Sequence, residues 1–108
     1  MVYVSAKFQG KKENVKIVED VIRELIKADK EHDFVFVSPI HCMGWLYEET
    51  DYQEGLDWTL ELLKRCDAMF VVPGWDEEPK SVGVGQEIEL AKKLEIPIHY
   101  LEDLFKEE

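Results

Sequence analysis

Basic side chains are scarce in this chain of 108 residues: 13 Lys and Arg stand against 24 Asp and Glu, a formal net charge of −11. Broad binding of nucleic-acid polymers, which relies on neutralising phosphates, is therefore not expected. A small nucleotide remains open, because one site can be locally basic inside an acidic molecule. Cysteine is scarcer still. Cys42 and Cys66 fit neither a disulfide framework nor a zinc spacing. No apolar stretch approaches the roughly 18–20 residues that a membrane span needs. The opening MVYVSAKF lacks a signal-peptide pattern, so a cytoplasmic protein without a membrane partner is expected. Repeats, low-complexity tracts and Pro/Gly/Ser-rich linkers are absent as well.

What is present is ample apolar material. Hydrophobic residues make up 45% and aromatics 11%, which excludes an intrinsically disordered chain. A chain of this length is expected to form one domain over 1–108, burying roughly 60–70% of the surface that it exposes unfolded.

Apolar runs alternate with amphipathic segments. Residues 2–5, 34–38 (FVFVS), 68–72 and 97–101 read as strands, apolar throughout as strands covered on both faces should be. Between them, Val18, Val21, Ile22, Leu25 and Ile26 fall on one helical face, Leu56, Leu60 and Leu63 on a second, and Val84, Ile88, Ala91 and Leu94 on a third. The alternation predicts an α/β fold: a single Rossmann-like, flavodoxin-like domain with a parallel sheet of about four to five strands flanked by helices. The 13 residues from Pro39 to Asp51, holding His41, Cys42, Trp45 and Tyr47, are long for a connection and read as a functional loop. Residues 102–108 read as a short terminal helix.

In open α/β sheets, ligands bind outside the carboxyl ends of the strands, which selects the loops after Ser5, Ser38 and Val72. The last is the most informative. Ser81-Val82-Gly83-Val84-Gly85-Gln86-Glu87 runs from a Pro/Gly-rich turn into a helix. Gly83 and Gly85 let the backbone approach a ligand, and the free N–H groups of a helix start attract anions, with the Ser81 hydroxyl beside them. Glu87 is expected in or near the first turn, where the helix dipole keeps a carboxylate ionised. An ionised carboxylate beside a crevice suits a glycosyl-transferring nucleophile, although a first-turn glutamate is also a common cap. Lys7, Lys11 and Lys12 make the first loop locally basic, either as a phosphate contact or as a solvated helix start. Trp45, Trp58 and Trp75 suit stacking on a base or ordinary packing. His41 adjoins Cys42, but no third ligand is spaced for an ion, and no metal is expected. A ligand contact and a plain polar loop residue are its two readings.

The segment Cys66-Asp67-Ala68-Met69-Phe70-Val71-Val72, followed by Pro73-Gly74-Trp75 and by Ser81 to Glu87, resembles the nucleoside 2-deoxyribosyltransferase-like superfamily. The opening Val2-Tyr3-Val4-Ser5-Ala6-Lys7-Phe8-Gln9-Gly10 is similar to the first strand and loop of that superfamily. The resemblance implies cleavage or transfer of N-glycosidic bonds in nucleosides or nucleoside 5′-monophosphates. A glutamate matching Glu87 attacks the anomeric carbon, and a tyrosine matching Tyr3 orients it. The resemblance further implies Ser81, Gly83 and Gly85 as an anion-binding turn, with Lys7, Gln9, Gly10 and His41 around the substrate. Thr59 occupies the place of the superfamily's catalytic aspartate, so that role would fall to Asp57, although two positions apart on a helix do not share a face. Gln9 stands where nucleotide hydrolases of the superfamily carry an arginine, which leaves a phosphate contact to Lys7, Lys11 or Lys80. Neither a metal nor an organic cofactor is required. The partner expected is a small nucleoside or nucleotide, with a homodimer or larger homo-oligomer formed by the chain itself. The alternative is a nucleotide-binding or sensor module of the same fold without turnover.

Overall fold

The central strand β1 (Val2–Ser5) lies between β2 (Phe36–Val37) and β3 (Ala68–Val71), and β4 (Ile98–Tyr100) completes the order β2-β1-β3-β4. All three pairings are parallel. The computed structural model describes residues 1–49 and 51–102. Parallel neighbours require crossovers, supplied by α1 (Lys12–Ala28), α3 (Tyr52–Lys64) and α4 (Val82–Lys93). The fold is thus α/β, a single Rossmann-like sheet flanked by helices.

Side chains alternate across β1 with the period of a strand. Tyr3 faces one layer, packed with Met69 and Val71 of β3, Leu63 of α3, and Val84, Ile88 and Ala91 of α4. Val4 faces the other, packed with Val18, Val21 and Leu25 of α1 and with Ile40. The stripe on α1 is narrower than the spacing suggests, because Ile26 is exposed. At about 100° per residue it lies roughly a quarter-turn beyond the direction shared by Val18, Val21 and Leu25. Leu94, expected at the end of the α4 stripe, is instead that helix's exposed C-cap.

Two other expectations are corrected. The strand over 34–38 shrinks to Phe36–Val37, since the amides of Asp33 and Phe34 are captured by the Asp29 carboxylate, both at 3.0 Å. That leaves Phe34 and Val35 exposed on the sheet's edge. The presumed loop from Pro39 to Asp51 begins as a helix, α2 (Pro39–Met43), followed by a 3-10 turn at Gly44–Leu46. Ser38 caps α2 by accepting from the His41 amide at 3.3 Å, and Pro39 supplies a preset φ at the first helical position. The terminal helix read over 102–108 lies outside the described residues, apart from Glu102.

The order β2-β1-β3 reverses the direction of winding between β1 and β3, and crevices open at such switch points. The loops that follow β1 and β3 meet there. Lys7 Nζ donates to the Glu77 carbonyl at 2.9 Å and Gln9 Nε2 to the Pro79 carbonyl at 3.0 Å, tying one loop to the other. Among the described residues, no helix is long and apolar enough to cross a membrane.

Candidate functional site

A cleft of about 550 Å³ opens at this carboxyl edge, within the size range of small-molecule sites. Four segments build its walls. The loop after β1 contributes Phe8 and Gln9, and α2 with its 3-10 turn contributes Ile40, Met43 and Leu46. From α3 come Leu56, Trp58 and Thr59, and from the start of α4 come Ser81, Gly83, Val84 and Glu87. The walls are mainly apolar, with Gln9, Asp51, Thr59, Lys80, Ser81 and Glu87 as the polar and charged side chains among them.

Glu87 is the chemical centre of this cleft. Only 5% of its surface is exposed, yet it lines the cavity. Both carboxylate oxygens are held by β1. The Tyr3 hydroxyl donates to Oε2, and the Ser5 hydroxyl donates to Oε1 at 3.0 Å. Residues two apart on a strand share a face, so one strand supplies both donors. Burial pushes the Glu87 carboxyl up to about 7, against the downward pull of the Tyr3 and Ser5 hydrogen bonds. Burial and the neighbouring Glu87 carboxylate raise the Tyr3 phenol well above its ordinary value, so it remains a donor.

This differs from a carboxylate kept ionised by a helix dipole. Because α4 starts at Val82, Glu87 sits in the second turn, and the dipole's influence fades within the first. Desolvation then decides the balance. The Ser81 hydroxyl caps α4 by accepting from the Val84 amide at 3.2 Å, and it also lines the cleft. Its own hydrogen remains available to a ligand.

Of the residues singled out from the sequence, Gln9, Ser81, Gly83 and Glu87 line the cleft, with Tyr3 directly behind Glu87. Several of the others are placed elsewhere. Asp57 is exposed and accepts from Gln53 Nε2 at 2.9 Å on the outer side of α3. Thr59 instead lines the cleft, and its hydroxyl bears on the Tyr3 phenol. His41 points away from the cavity. Its Nδ1 meets Ser38 Oγ at 2.8 Å and its Nε2 meets the Glu19 carboxylate at 2.9 Å, fastening α2 to α1. Lys7 is occupied in joining the loops. Lys80 lines the cleft, with Nζ 5.5 Å from the centroid of the Trp75 ring.

The glycines divide in the same way. Gly83 lines the cleft, whereas Gly85 lies against Trp75, whose ring a Cβ would meet at 3.7 Å. Gly10 serves the fold. Its φ is +70°, and a Cβ there would lie 3.0 Å from the Tyr47 ring. Gln9 precedes it with φ of 54°, so two successive left-handed residues make the turn. The Gln9 side chain is fixed at Nε2 by Pro79, while its buried Oε1 has no partner among the described residues.

Two polar residues of the site escaped the sequence reading, Ser5 buried behind Glu87 and Asp51 in the cleft wall. Ser5 could have been found, since it follows Tyr3 by the two-residue period of a strand. Asp51 is the N-cap of α3, an ordinary capping position that draws no notice in the sequence. No group of three or more His, Cys, Asp and Glu among the described residues is arranged to hold a metal ion.

A family model described as "Domain of unknown function (DUF7768)" matches residues 1–101. No curated protein matches the chain.

Proposed function

We propose a chemistry for this chain, which belongs to the DUF7768 family: cleavage or transfer of the N-glycosidic bond of a nucleoside or nucleoside 5′-monophosphate. The observation that carries the reading is Glu87, a buried carboxylate in the wall of a cleft, with each oxygen held by a hydroxyl of β1. A carboxylate in that setting can act as a nucleophile or an acid–base group. The resemblance of the Tyr3 and Ser81–Glu87 segments to the deoxyribosyltransferase-like superfamily favours the nucleophile.

In the first step, an oxygen of ionised Glu87 attacks the anomeric carbon, and the bond to the base breaks with its electron pair passing to the base nitrogen. In the second, water or an acceptor base attacks the same carbon and releases the carboxylate. Tyr3 and Ser5 hold Glu87 in position. The apolar walls, with Phe8 and Trp58 among them, suit the flat face of a base. A second copy of the chain covering the open cleft belongs to the same proposal.

A non-catalytic nucleotide-binding module is the second reading. It is favoured by Asp57 facing away from the cleft and Thr59 lying inside it. Liquid chromatography separates the two. The purified protein and its Glu87→Ala variant are incubated with ribo- and deoxynucleosides and their 5′-monophosphates, with and without an acceptor base. Free or exchanged base from the wild type alone supports the glycosyl chemistry. No product from any substrate, with ligand binding retained, supports the module instead.

A further inference from the structure

An N-glycosidic bond to an uncharged base breaks at the cost of expelling an anion, and a positioned acid relieves that cost. The titratable side chains lining the cleft, among the described residues, are Tyr47, Asp51, Lys80 and Glu87. Glu87 is already engaged as the attacking group. Asp51 is exposed, and its Oδ1 accepts from the Glu54 amide at 2.9 Å at the start of α3, a setting that favours the carboxylate over the acid. A phenol and an ammonium, which Tyr47 and Lys80 bring, are far weaker acids than a carboxyl. Asp57 faces solvent beside Gln53, and Thr59 carries no acidic proton. The cleft thus offers an attacking group without a matching acid.

The charge of the site is the second observation. Glu87 is buried, and both of its partners, the hydroxyls of Tyr3 and Ser5, are neutral. No cation among the described residues pairs with it, and a buried carboxylate without a cation is costly. Asp51 adds a second negative charge to the cleft, against the one ammonium of Lys80, whose Nζ stands over the Trp75 ring. The whole chain carries −11, a field that draws cations toward it. Phe8 and Trp58 line the walls, and the faces of aromatic rings attract positive charge.

We propose that the substrates of this cleft are nucleosides whose base is positively charged: a pyridinium joined to the sugar through its nitrogen, or a purine alkylated at N7. The inference rests on the glycosyl-transfer reading above and names its substrate class. Such a base leaves neutral, so the reaction needs no proton donor. As Glu87 attacks the anomeric carbon, the electron pair of the breaking bond passes to the ring nitrogens and cancels the positive charge. Carboxylate and cation are consumed together, giving an uncharged ester and an uncharged base. Water then attacks the same carbon, Glu87 departs as the carboxylate, and the proton lost by the water passes to solvent. Before the reaction, a positive ring beside Glu87 favours the ionised form that attacks.

The test measures base release by liquid chromatography from two matched pairs: nicotinamide riboside against its uncharged dihydro form, and 7-methylguanosine against guanosine. Glu87→Ala supplies the blank for each. The expected result is a kcat/KM for each charged member roughly 10²–10⁴-fold above that of its partner, the span that a missing acid costs. KM should also be lower for the charged member, a preference that the lability of the bond does not supply. With nicotinamide riboside the rate should rise once with pH, as Glu87 ionises, and then stay level, because no acid is lost at high pH. Uncharged members cleaved as well as the charged ones, equal KM values within each pair, or a bell-shaped profile with nicotinamide riboside overturn the inference and leave the glycosyl-transfer reading standing. Wild-type protein that releases no base from any of the four, nor from the deoxynucleosides and 5′-monophosphates, overturns that reading itself.

Discussion

Replacing Glu87 by glutamine should make the protein more stable in mild alkali while leaving it little changed in mild acid. Glu87 is buried and its carboxyl is pushed from an ordinary 4.5 up to about 7. Between those values the folded protein holds a proton that the unfolded chain has released. Stability contributed by the protonated carboxyl is therefore complete below about pH 4.5 and lost as pH rises through about 7. At about 1.4 kcal/mol for each pH unit between the two values, the loss is about 3 kcal/mol. Glutamine cannot ionise, and its amide can still bond the Tyr3 and Ser5 hydroxyls. The difference in melting temperature, Glu87→Gln minus wild type, should rise by roughly 10–20 °C between pH 5 and pH 8 and level off above. Differential scanning fluorimetry across that range measures it, and subtracting the two proteins removes the common effect of the other acidic groups. A difference that stays flat from pH 5 to pH 8, or that falls, would refute the claim that desolvation dominates this site.

Two further outcomes follow from the neighbours of that carboxylate and from the turn beside it. Tyr3→Phe removes a hydrogen bond that pulls the Glu87 carboxyl down, so the alkaline rise in Glu87-dependent activity should move to higher pH, read from a pH–rate profile. Gly10→Ala should lower stability by about 1–2 kcal/mol in urea melts, since φ is +70° and the new Cβ would lie 3.0 Å from the Tyr47 ring.

The sheet and the three long helices were legible because their apolar residues repeat with strand or helix periods over enough positions to be distinctive. The short elements were not. In α2, five residues give no periodic signal, and only the Ser38-Pro39 start marks it. Direction was harder to read than existence. His41 and Ile40 are neighbours in sequence, yet the helical turn sends Ile40 to the cleft and His41 to Glu19. The same geometry separates Asp57 from Thr59 on α3. Tyr3 and Glu87 lie 84 positions apart, and no local pattern joins them. Ser5 was accessible to simple alternation along β1 and was passed over because a small polar residue at a strand's end looks unexceptional. Asp51 was hidden by its own ordinary role as a helix cap.

The two hydroxyls that hold Glu87 stand on alternate residues of the strand that pairs on both sides, with Tyr3 opposite Val37 and Met69 and Ser5 opposite Val71. A slip of β1 by one residue would turn both hydroxyls to the opposite layer and bring Val4 against Glu87. The setting of Glu87 is consequently a read-out of strand alignment: a molecule with a misthreaded central strand has no aligned carboxylate, however compact it is. Refolding followed through the ionisation of Glu87 would report when the alignment is achieved, as distinct from when the chain collapses.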